Sequence, residues 1–353
     1  MNNSDAGFGV YVHIPFCAHR CDYCAFATWT DRAHLVDRYL AVLRDELLAA
    51  EMPIATSVFV GGGTPTLVPP AALGAVIEAI RIAPGAEVTV ECNPDDVTLE
   101  MVRIFRDHGV NRVSIGVQSM VNSVLASLGR THLPANVVRA VDAVVGAGMP
   151  TFNLDLIYGA AGETLADWRT TLEAAISLGP SHISAYALTI EAGTPLAAQP
   201  QRHPDDDDLA DKYELADELL TAAGLANYEV SNWARPGHQC RHNMLYWREG
   251  NYRGFGCAAH SHDDGRRWWN VRTPERYISL AAAGRSTESA GETLDAETRR
   301  IEGLQLALRT SDGIPVDAID LTDLDEMVQV SDGRVRLTRA GRLMANEVSM
   351  RLR

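Results

Sequence analysis

Basic residues are scarce in this chain of 353 residues, and two other features that would define a function class are missing. Lysine and arginine number 31 against 46 aspartates and glutamates, which gives a formal net charge of −15. Nonspecific binding to nucleic acid or to an anionic membrane is therefore not expected, because both reward excess positive charge. No apolar run approaches the roughly 18 residues of a membrane span. The first ten residues also lack the pattern of a secretory signal.

Cysteine is sparse as well, and three of the six cysteines stand alone at positions 92, 240 and 257. Isolated thiols without a secretory signal predict a reducing, cytoplasmic location. The other three lie together in YVHIPFCAHRCDYCAFATWT (residues 11–30), with the spacing Cys17-x3-Cys21-x2-Cys24. An odd group of clustered thiols cannot close into disulfides, so it indicates a metal or redox site.

A fourth cysteine is missing from this group, and three kinds of site remain open. Structural zinc would need a fourth ligand such as His13 or His260. A thioredoxin-type redox pair would use Cys21 and Cys24 and leave Cys17 unused. A [4Fe–4S] cluster held by three thiolates would leave one iron open to a substrate or cofactor.

Apolar runs alternate with amphipathic helical patterns over the first two thirds of the chain. Six strand-then-helix repeats predict an α/β fold with a parallel sheet, either a barrel or an open doubly wound sheet. In a barrel, functional residues gather at the carboxyl ends of the strands. The predicted strands are 9–14, 57–62, 87–92, 112–117, 152–157 and 182–188. The predicted helices are 31–51, 71–82, 98–108, 135–147, 165–177 and 206–223.

The repeat ends near residue 228, and the remainder of the chain has a different pattern. Residues 229–290 are rich in Gly, Trp, Tyr and His, and we predict an irregular segment that closes the barrel. Residues 291–353 combine helical stretches with a hairpin at Asp332-Gly333, which predicts a small winged-helix-like lobe. The acidic balance of this lobe favours packing or partner contact over DNA binding. The predicted domains are therefore 1–228, 229–290 and 291–353.

Polar residues interrupt the apolar strands where the predicted strands end. The segment GGGTPT (residues 61–66) follows the second strand, and N–H groups in such a turn can cradle a carboxylate. A buried charge without a partner is costly, so salt bridges at the barrel rim are the structural alternative to ligand binding. The residues concerned are Glu91, Gln118, Arg130 and Asp155.

The cysteine spacing, with Tyr23 before the last cysteine, resembles the radical S-adenosylmethionine (SAM) superfamily. The resemblance implies a partial parallel (β/α)6-type barrel and a [4Fe–4S] cluster on Cys17, Cys21 and Cys24, whose open iron chelates SAM. It implies that Glu91 and Arg130 address the charged ends of SAM, and that Gln118 and Asp155 address the ribose or a second ligand. The full implied SAM-binding set is Tyr11, Tyr23, Gly62, Gly63, Thr64, Glu91, Gln118, Arg130 and Asp155.

Further motifs resemble one branch, the oxygen-independent coproporphyrinogen III oxidase-like family. They are YVHIPFC, GGGTPT, ECNP (91–94), SIGVQS (114–119), LGR (128–130) and NLDLIYG (153–159). The branch contains the oxidase, haem chaperones and methyltransferases. Two departures count against the oxidase: Phe26 stands where its motif continues with cysteine, and only ten residues precede Tyr11. We therefore do not expect coproporphyrinogen dehydrogenase activity, and oxidase and radical methyltransferase remain the alternatives to a haem chaperone.

One motif favours the chaperone subgroup, whose HNxxYW pattern matches HNMLYW (residues 242–247). Imidazole can ligate iron and aromatic rings can stack on a porphyrin, whereas the structural alternative is that these side chains anchor a turn by hydrogen bonds. The implied haem-binding set is His242, Asn243, Tyr246 and Trp247, with Cys240 and Cys257 as alternative ligands. We also predict that His260 and His262 are pocket walls.

The resemblance thus implies a protein that binds haem and delivers it to apo-haemoproteins such as respiratory enzymes. SAM would serve as a ligand or switch more than as a consumed substrate. Delivery to membrane enzymes would involve transient membrane contact, which the composition does not support. A homodimer stays open.

Overall fold

A computed structural model describes residues 7–353, and a sheet of twelve strands lies at its centre. Residues 1–6, which hold most of the segment inspected for a secretory signal, lie outside the described residues. Six parallel strands form the middle of the sheet: β1 (Phe8–Ile14), β2 (Ala55–Gly62), β3 (Ile82–Cys92), β4 (Arg112–Gln118), β5 (Thr151–Tyr158) and β6 (His182–Ala187). All six predicted strands are therefore confirmed.

Seven helices follow these strands and cover one face of the sheet. They are α1 (Val36–Ala49), α2 (Pro70–Glu78), α3 (Leu99–Asp107), α4 (Asn122–Ser127), α5 (Pro134–Gly146), α6 (Leu165–Ser177) and α7 (Asp206–Ala222). Local sequence sets their starts: Pro134 begins α5, and Thr164 and Asp167 form a capping box on α6. The short α4 was not predicted. The helices pack on the strand residues that face them, such as Val10, Val12 and Val60.

The strand order is β12-β11-β10-β9-β1-β2-β3-β4-β5-β6-β8-β7, so the barrel stays incomplete as predicted. Because β1 to β6 run parallel, their carboxyl ends lie at one edge, where the polar residues of the sequence motifs follow.

The segment 229–290 is not irregular, and that part of the prediction is wrong. Its elements, from the strand that precedes it, are β7 (Ala226–Glu229), β8 (Asn232–Ala234), α8 (Arg241–Trp247), β9 (Asn251–Phe255), β10 (His260–Asp263), β11 (Arg266–Asn270), α9 (Pro274–Ala282) and β12 (Glu288–Thr293). β9 pairs parallel with β1, and β10 to β12 extend the sheet antiparallel. The strands are too short for periodicity to reveal, and their pairing with a distant strand stabilises them.

The end of the chain forms a lobe of helices and a small sheet with its own apolar core. Its elements are α10 (Ala296–Leu308), β13 (Ile314–Pro315), β14 (Val328–Ser331), β15 (Arg334–Leu337), α11 (Arg339–Leu343) and α12 (Ala345–Ser349). The hairpin at Asp332-Gly333 is confirmed, and both residues have positive φ, +53° and +70°. Arg339 and Arg342 attach the lobe to Asp217 of α7. The predicted domain boundaries remain a prediction.

Lys212 of α7 is the single lysine of the chain, and its side chain is fully buried. Its Nζ donates to the carbonyl of Glu163 at 2.9 Å and pairs with Asp208 one turn earlier. The Glu163 carboxylate lies 3.6 Å away. A buried ammonium needs such partners, so this group fixes α7 against the start of α6.

Candidate functional site

A cavity of about 570 Å³ opens at the carboxyl ends of the central strands, and we call it the cluster cavity. All three clustered cysteines line it, together with eight of the nine predicted SAM-binding residues. The lining includes Cys17, Cys21, Cys24, Tyr23, Gly62, Gly63, Thr64, Glu91, Gln118, Arg130 and Asp155. Strand order explains the convergence, because most of these side chains lie at a strand end or in the segment that follows it, and Asp155 lies within β5.

The three cysteines lie on one loop after β1, and all are free thiols. The loop is tied to its own end, since the Cys17 N–H donates to the Trp29 carbonyl at 3.1 Å. Thr64 donates to the Cys17 sulfur at 3.7 Å and Arg130 to the Cys21 sulfur at 3.5 Å. Burial raises the pKa of the Cys17 and Cys24 thiols, and the hydrogen bond from Thr64 opposes that rise at Cys17.

The geometry fits a polynuclear cluster better than a single metal ion. Within residues 7–353, no three His, Cys, Asp or Glu side chains converge closely enough to hold one ion. A [4Fe–4S] cube takes each thiolate on a different iron, so its ligands stand further apart.

The glycines of the segment 61–66 allow two loops to approach closely. Gly62 has φ of +108°, and a Cβ there would lie 2.3 Å from the His13 ring. A Cβ on Gly63 would lie 2.6 Å from the Phe16 carbonyl oxygen, and the Gly63 N–H donates to the Ile14 carbonyl at 2.7 Å. Glycine is required because a larger residue would push this segment away from the cysteine loop.

Two carboxylates face the cluster cavity. Glu91 accepts a hydrogen bond from the Gly62 N–H at 3.0 Å, and burial, reinforced by the charge of Asp155, raises its pKa to about 7. Asp155 accepts from Ser114 at 2.7 Å and Asn153 at 2.8 Å, and burial raises its pKa as well. Desolvation of two neighbouring carboxylates favours a cationic ligand, and SAM brings an ammonium and a sulfonium. The cavity therefore fits SAM.

Gln118 and Arg130 complete the side of the cavity formed by β4 and the following loop. Gln118 has φ of +62°, which glycine tolerates better than other residues, and the β4–β5 register shifts beside it. Such a strained conformation is typical of a functional site. Arg130 donates to the Asn93 side chain and the Gly116 carbonyl, both at 3.2 Å, in addition to Cys21. These bonds hold the guanidinium between the cysteine loop and β3.

Tyr11 is the exception among the predicted SAM residues, because it lines a second cavity. This second cavity measures about 600 Å³ and shares Ala25 and Phe26 of the cysteine loop with the cluster cavity. The Tyr11 hydroxyl bonds His13 Nδ1 at 2.9 Å, and His13 Nε2 bonds the Ala27 carbonyl at 2.9 Å. Burial lowers the His13 pKa to about 4, so the ring is neutral. His260 and His262 line this cavity too, as predicted.

The HNxxYW motif does not form a turn; it forms α8, which plugs the opposite end of the barrel. His242 is fully buried, and Ser57 and Tyr246 hydrogen-bond its Nδ1 and Nε2 at 2.9 and 2.8 Å. Burial lowers its pKa to about 3. Both ring nitrogens are thus hydrogen-bonded within the protein, and the haem-binding role of His242 stays a prediction.

The other members of the predicted haem set take three different positions. Tyr246 reaches the second cavity, Asn243 is half-buried on α8, and Trp247 packs against the buried cluster of Tyr228, Ala234 and Met244. The alternative ligands Cys240 and Cys257 are buried thiols whose pKa burial raises to about 12. The motif therefore acts as a packed plug rather than one ligand set.

Sequence reasoning missed three polar residues that orient the site. Ser114 and Asn153 hold Asp155, and Asn93 holds Arg130. Ser114 and Asn153 stand within apolar strands, on the face that points into the barrel. A polar residue within an apolar strand is the sequence signal that could have identified Ser114 and Asn153.

The radical SAM superfamily model matches residues 11–175. A heme chaperone HemW from Mycobacterium tuberculosis (strain ATCC 25618 / H37Rv) is 41% identical, over 97% of this chain and 93% of that protein. The heme chaperone HemW of Escherichia coli (strain K12) is 37% identical, over 90% and 87%. The solved coproporphyrinogen III oxidase (HemN) from Escherichia coli superposes with a TM-score of 0.84 at 22% identity, over 98% of this chain and 89% of that one. The last likeness concerns the fold alone, whereas the identities to the first two relatives show that the chain belongs to the HemW family of radical SAM proteins.

Proposed function

We propose that this protein binds haem and delivers it to apo-haemoproteins. The observation that carries the proposal is the extent of the similarity. Relatives named heme chaperone HemW from Mycobacterium tuberculosis, Escherichia coli and Bacillus subtilis cover 90 to 97% of the chain at 32 to 41% identity. The shared cofactor motifs alone would explain a match over residues 11–175. Similarity through the last third of the chain supports a shared task beyond cofactor binding.

A [4Fe–4S] cluster and SAM are the cofactors of this superfamily, and the cluster cavity suits both. We assign the cluster to Cys17, Cys21 and Cys24. The cluster, when bound and reduced, would supply an electron to SAM, which we expect to serve as a ligand or switch more than as a consumed substrate. The N–H groups of the segment 61–66 and the carboxylate of Glu91 would bind the methionine moiety. Gln118 and Asp155 would bind the ribose or a second ligand, and Arg130 would hold the cysteine loop and a carboxylate.

The partners follow from the same proposal. Haem is the cargo, and apo-haemoproteins such as respiratory enzymes are the recipients. Among the residues that the structure describes, no helix combines the length and the apolar character that a bilayer crossing needs. We place the protein in the cytoplasm, with membrane contact confined to delivery, and with no role in nucleic-acid binding.

An anaerobic haem titration tests the function. Cluster-reconstituted protein should bind one haem with a distinct Soret band, and mixing with apomyoglobin as a model acceptor should transfer the haem. A parallel assay with coproporphyrinogen III should give no product. Absence of saturable haem binding, or coproporphyrinogen turnover, would overturn the proposal.

Iron analysis tests the ligand assignment separately. The Cys21→Ala variant should lose nearly all cluster iron and sulfide after reconstitution, because a cube held by only two thiolates is labile. Cys257→Ala is the matched control, because that buried thiol lies against Tyr39 and outside the cluster cavity. Equal iron contents in the two variants would contradict the assignment.

A further inference from the structure

The second cavity has the size and lining of a site for a flat, largely apolar ligand. Its volume of about 600 Å³ falls within the range of roughly 300–1,000 Å³ typical of cofactor pockets. Aromatic and aliphatic side chains provide most of the walls, among them Tyr11, Tyr246, Tyr252 and Leu306. The walls come from β1 and β9 of the sheet and from α10 of the lobe.

One histidine of this cavity has a ring that is free to bind iron. His13 uses both nitrogens, and so does His262, which bonds the Gly250 carbonyl at 3.0 Å and accepts from the Gly265 N–H at 3.1 Å. The His260 ring makes no hydrogen bond within residues 7–353. It stacks on Trp269 with the ring centres 5.6 Å apart and is partly exposed. Partial burial lowers its pKa, and a neutral imidazole is the form that ligates iron.

Two arginines supply positive charge at the mouth of the same cavity. Arg272 is exposed and has no ion pair in the described part of the chain. Arg267 pairs with Glu292 and Glu302, but its Nε is buried without a hydrogen-bond partner. Glu249 and Glu302 also line the cavity, so its charged side chains are mixed in sign and the two arginines lie beside acidic residues. Guanidinium groups bind carboxylates through paired N–H donors.

We infer that this cavity is the haem site, with His260 as the axial ligand and Arg272 and Arg267 as the partners of the propionates. The inference rests on the proposed function and names its site. The inference also links the haem site to the cluster site. Ala25 and Phe26 of the cysteine loop line both cavities and lie between them. Haem bound there would lie against the loop that holds the cluster.

The first test compares haem titrations of cluster-reconstituted wild type, His260→Ala and His34→Ala, an exposed control on a helix outside both cavities. His260→Ala should shift the Soret band and weaken haem binding at least about tenfold. Added imidazole should restore the spectrum by replacing the missing ligand. His34→Ala should match wild type. A His260→Ala variant with wild-type spectrum and affinity would overturn the inference.

The second test keeps the inference falsifiable if His260→Ala fails to fold. Arg272→Gln changes an exposed side chain and should weaken haem binding by about tenfold, as expected for a lost charge-assisted interaction. It should not affect binding of haem dimethyl ester, which lacks the carboxylates. Equal haem affinity in the variant and wild type would overturn the site. Failure of wild type to bind haem would instead overturn the proposed function.

Discussion

The two ends of the barrel contain similar side chains in opposite states, and β3 shows this most directly. Glu87 at its middle and Glu91 near its end point to the same face of the strand. Glu87 accepts hydrogen bonds from the backbone N–H groups of Arg241 and His242, each at 3.2 Å, and so caps α8. Glu91 accepts from Gly62 and otherwise faces the cluster cavity.

This difference shows which end of the barrel can bind a ligand. At the α8 end, the buried side chains of Glu87 and His242 meet partners from the protein itself, so that end is a packed plug. At the cysteine end, two carboxylates with raised pKa and a strained Gln118 face open space. Polar groups that face a cavity at one end and packed protein at the other separate ligand binding from structural support.

The largest effect is expected from breaking the plug with His242→Ala. The change removes two buried hydrogen bonds and leaves a cavity, so the free energy of unfolding should fall by about 3–4 kcal/mol. Urea unfolding of the cluster-free protein measures it, with His34→Ala expected within about 0.5 kcal/mol of wild type. Haem binding by the folded variant should persist. Unchanged stability with loss of the Soret band would make His242 a ligand and erase the contrast between the ends.

A smaller effect of opposite sign is expected from Glu91→Gln. The folded protein holds the Glu91 proton up to a pKa of about 7, whereas the unfolded chain releases it near its ordinary value. Ionisation therefore costs the wild type stability as pH rises between these values. In cofactor-free protein above pH 7, the variant should be more stable by about 2–3 kcal/mol, and near pH 4 it should equal wild type. Urea unfolding curves at both pH values measure this difference in the free energy of unfolding, with the exposed Glu100→Gln as control. Equal stability of the variant and the wild type at all pH values would contradict a raised Glu91 pKa. The same variant should also bind SAM more weakly.

The smallest effect is expected from Glu87→Gln. An amide can still accept hydrogen bonds from the first N–H groups of α8 but lacks the charge that complements them. We expect a loss of about 1 kcal/mol in the free energy of unfolding. The pair of variants therefore gives a direct comparison on one strand: glutamine destabilises at position 87 and stabilises at position 91 above neutral pH. The same sign at both positions would show that the two ends do not differ.

Most of the barrel could be predicted because its signals are local. Buried parallel strands are continuous apolar runs, and the cysteine spacing lies on one loop. The position of His242 could not be predicted, because Ser57 and Glu87, which lie 185 and 155 residues away along the chain, create its environment. The position of Tyr11 against the second cavity could not be predicted, because the sequence does not show which of two neighbouring cavities a strand residue lines.

The burial of Lys212 has a practical consequence for measurement. Because it is the single lysine of the chain, its ε-amino group is a natural single-site reporter. An amine-reactive reagent can modify it only when α6 and α7 separate, so the labelling rate of the peptide that carries it records how often this helix pair opens. The wild-type sequence thus carries its own probe of local breathing beside the barrel, with no engineered substitution required.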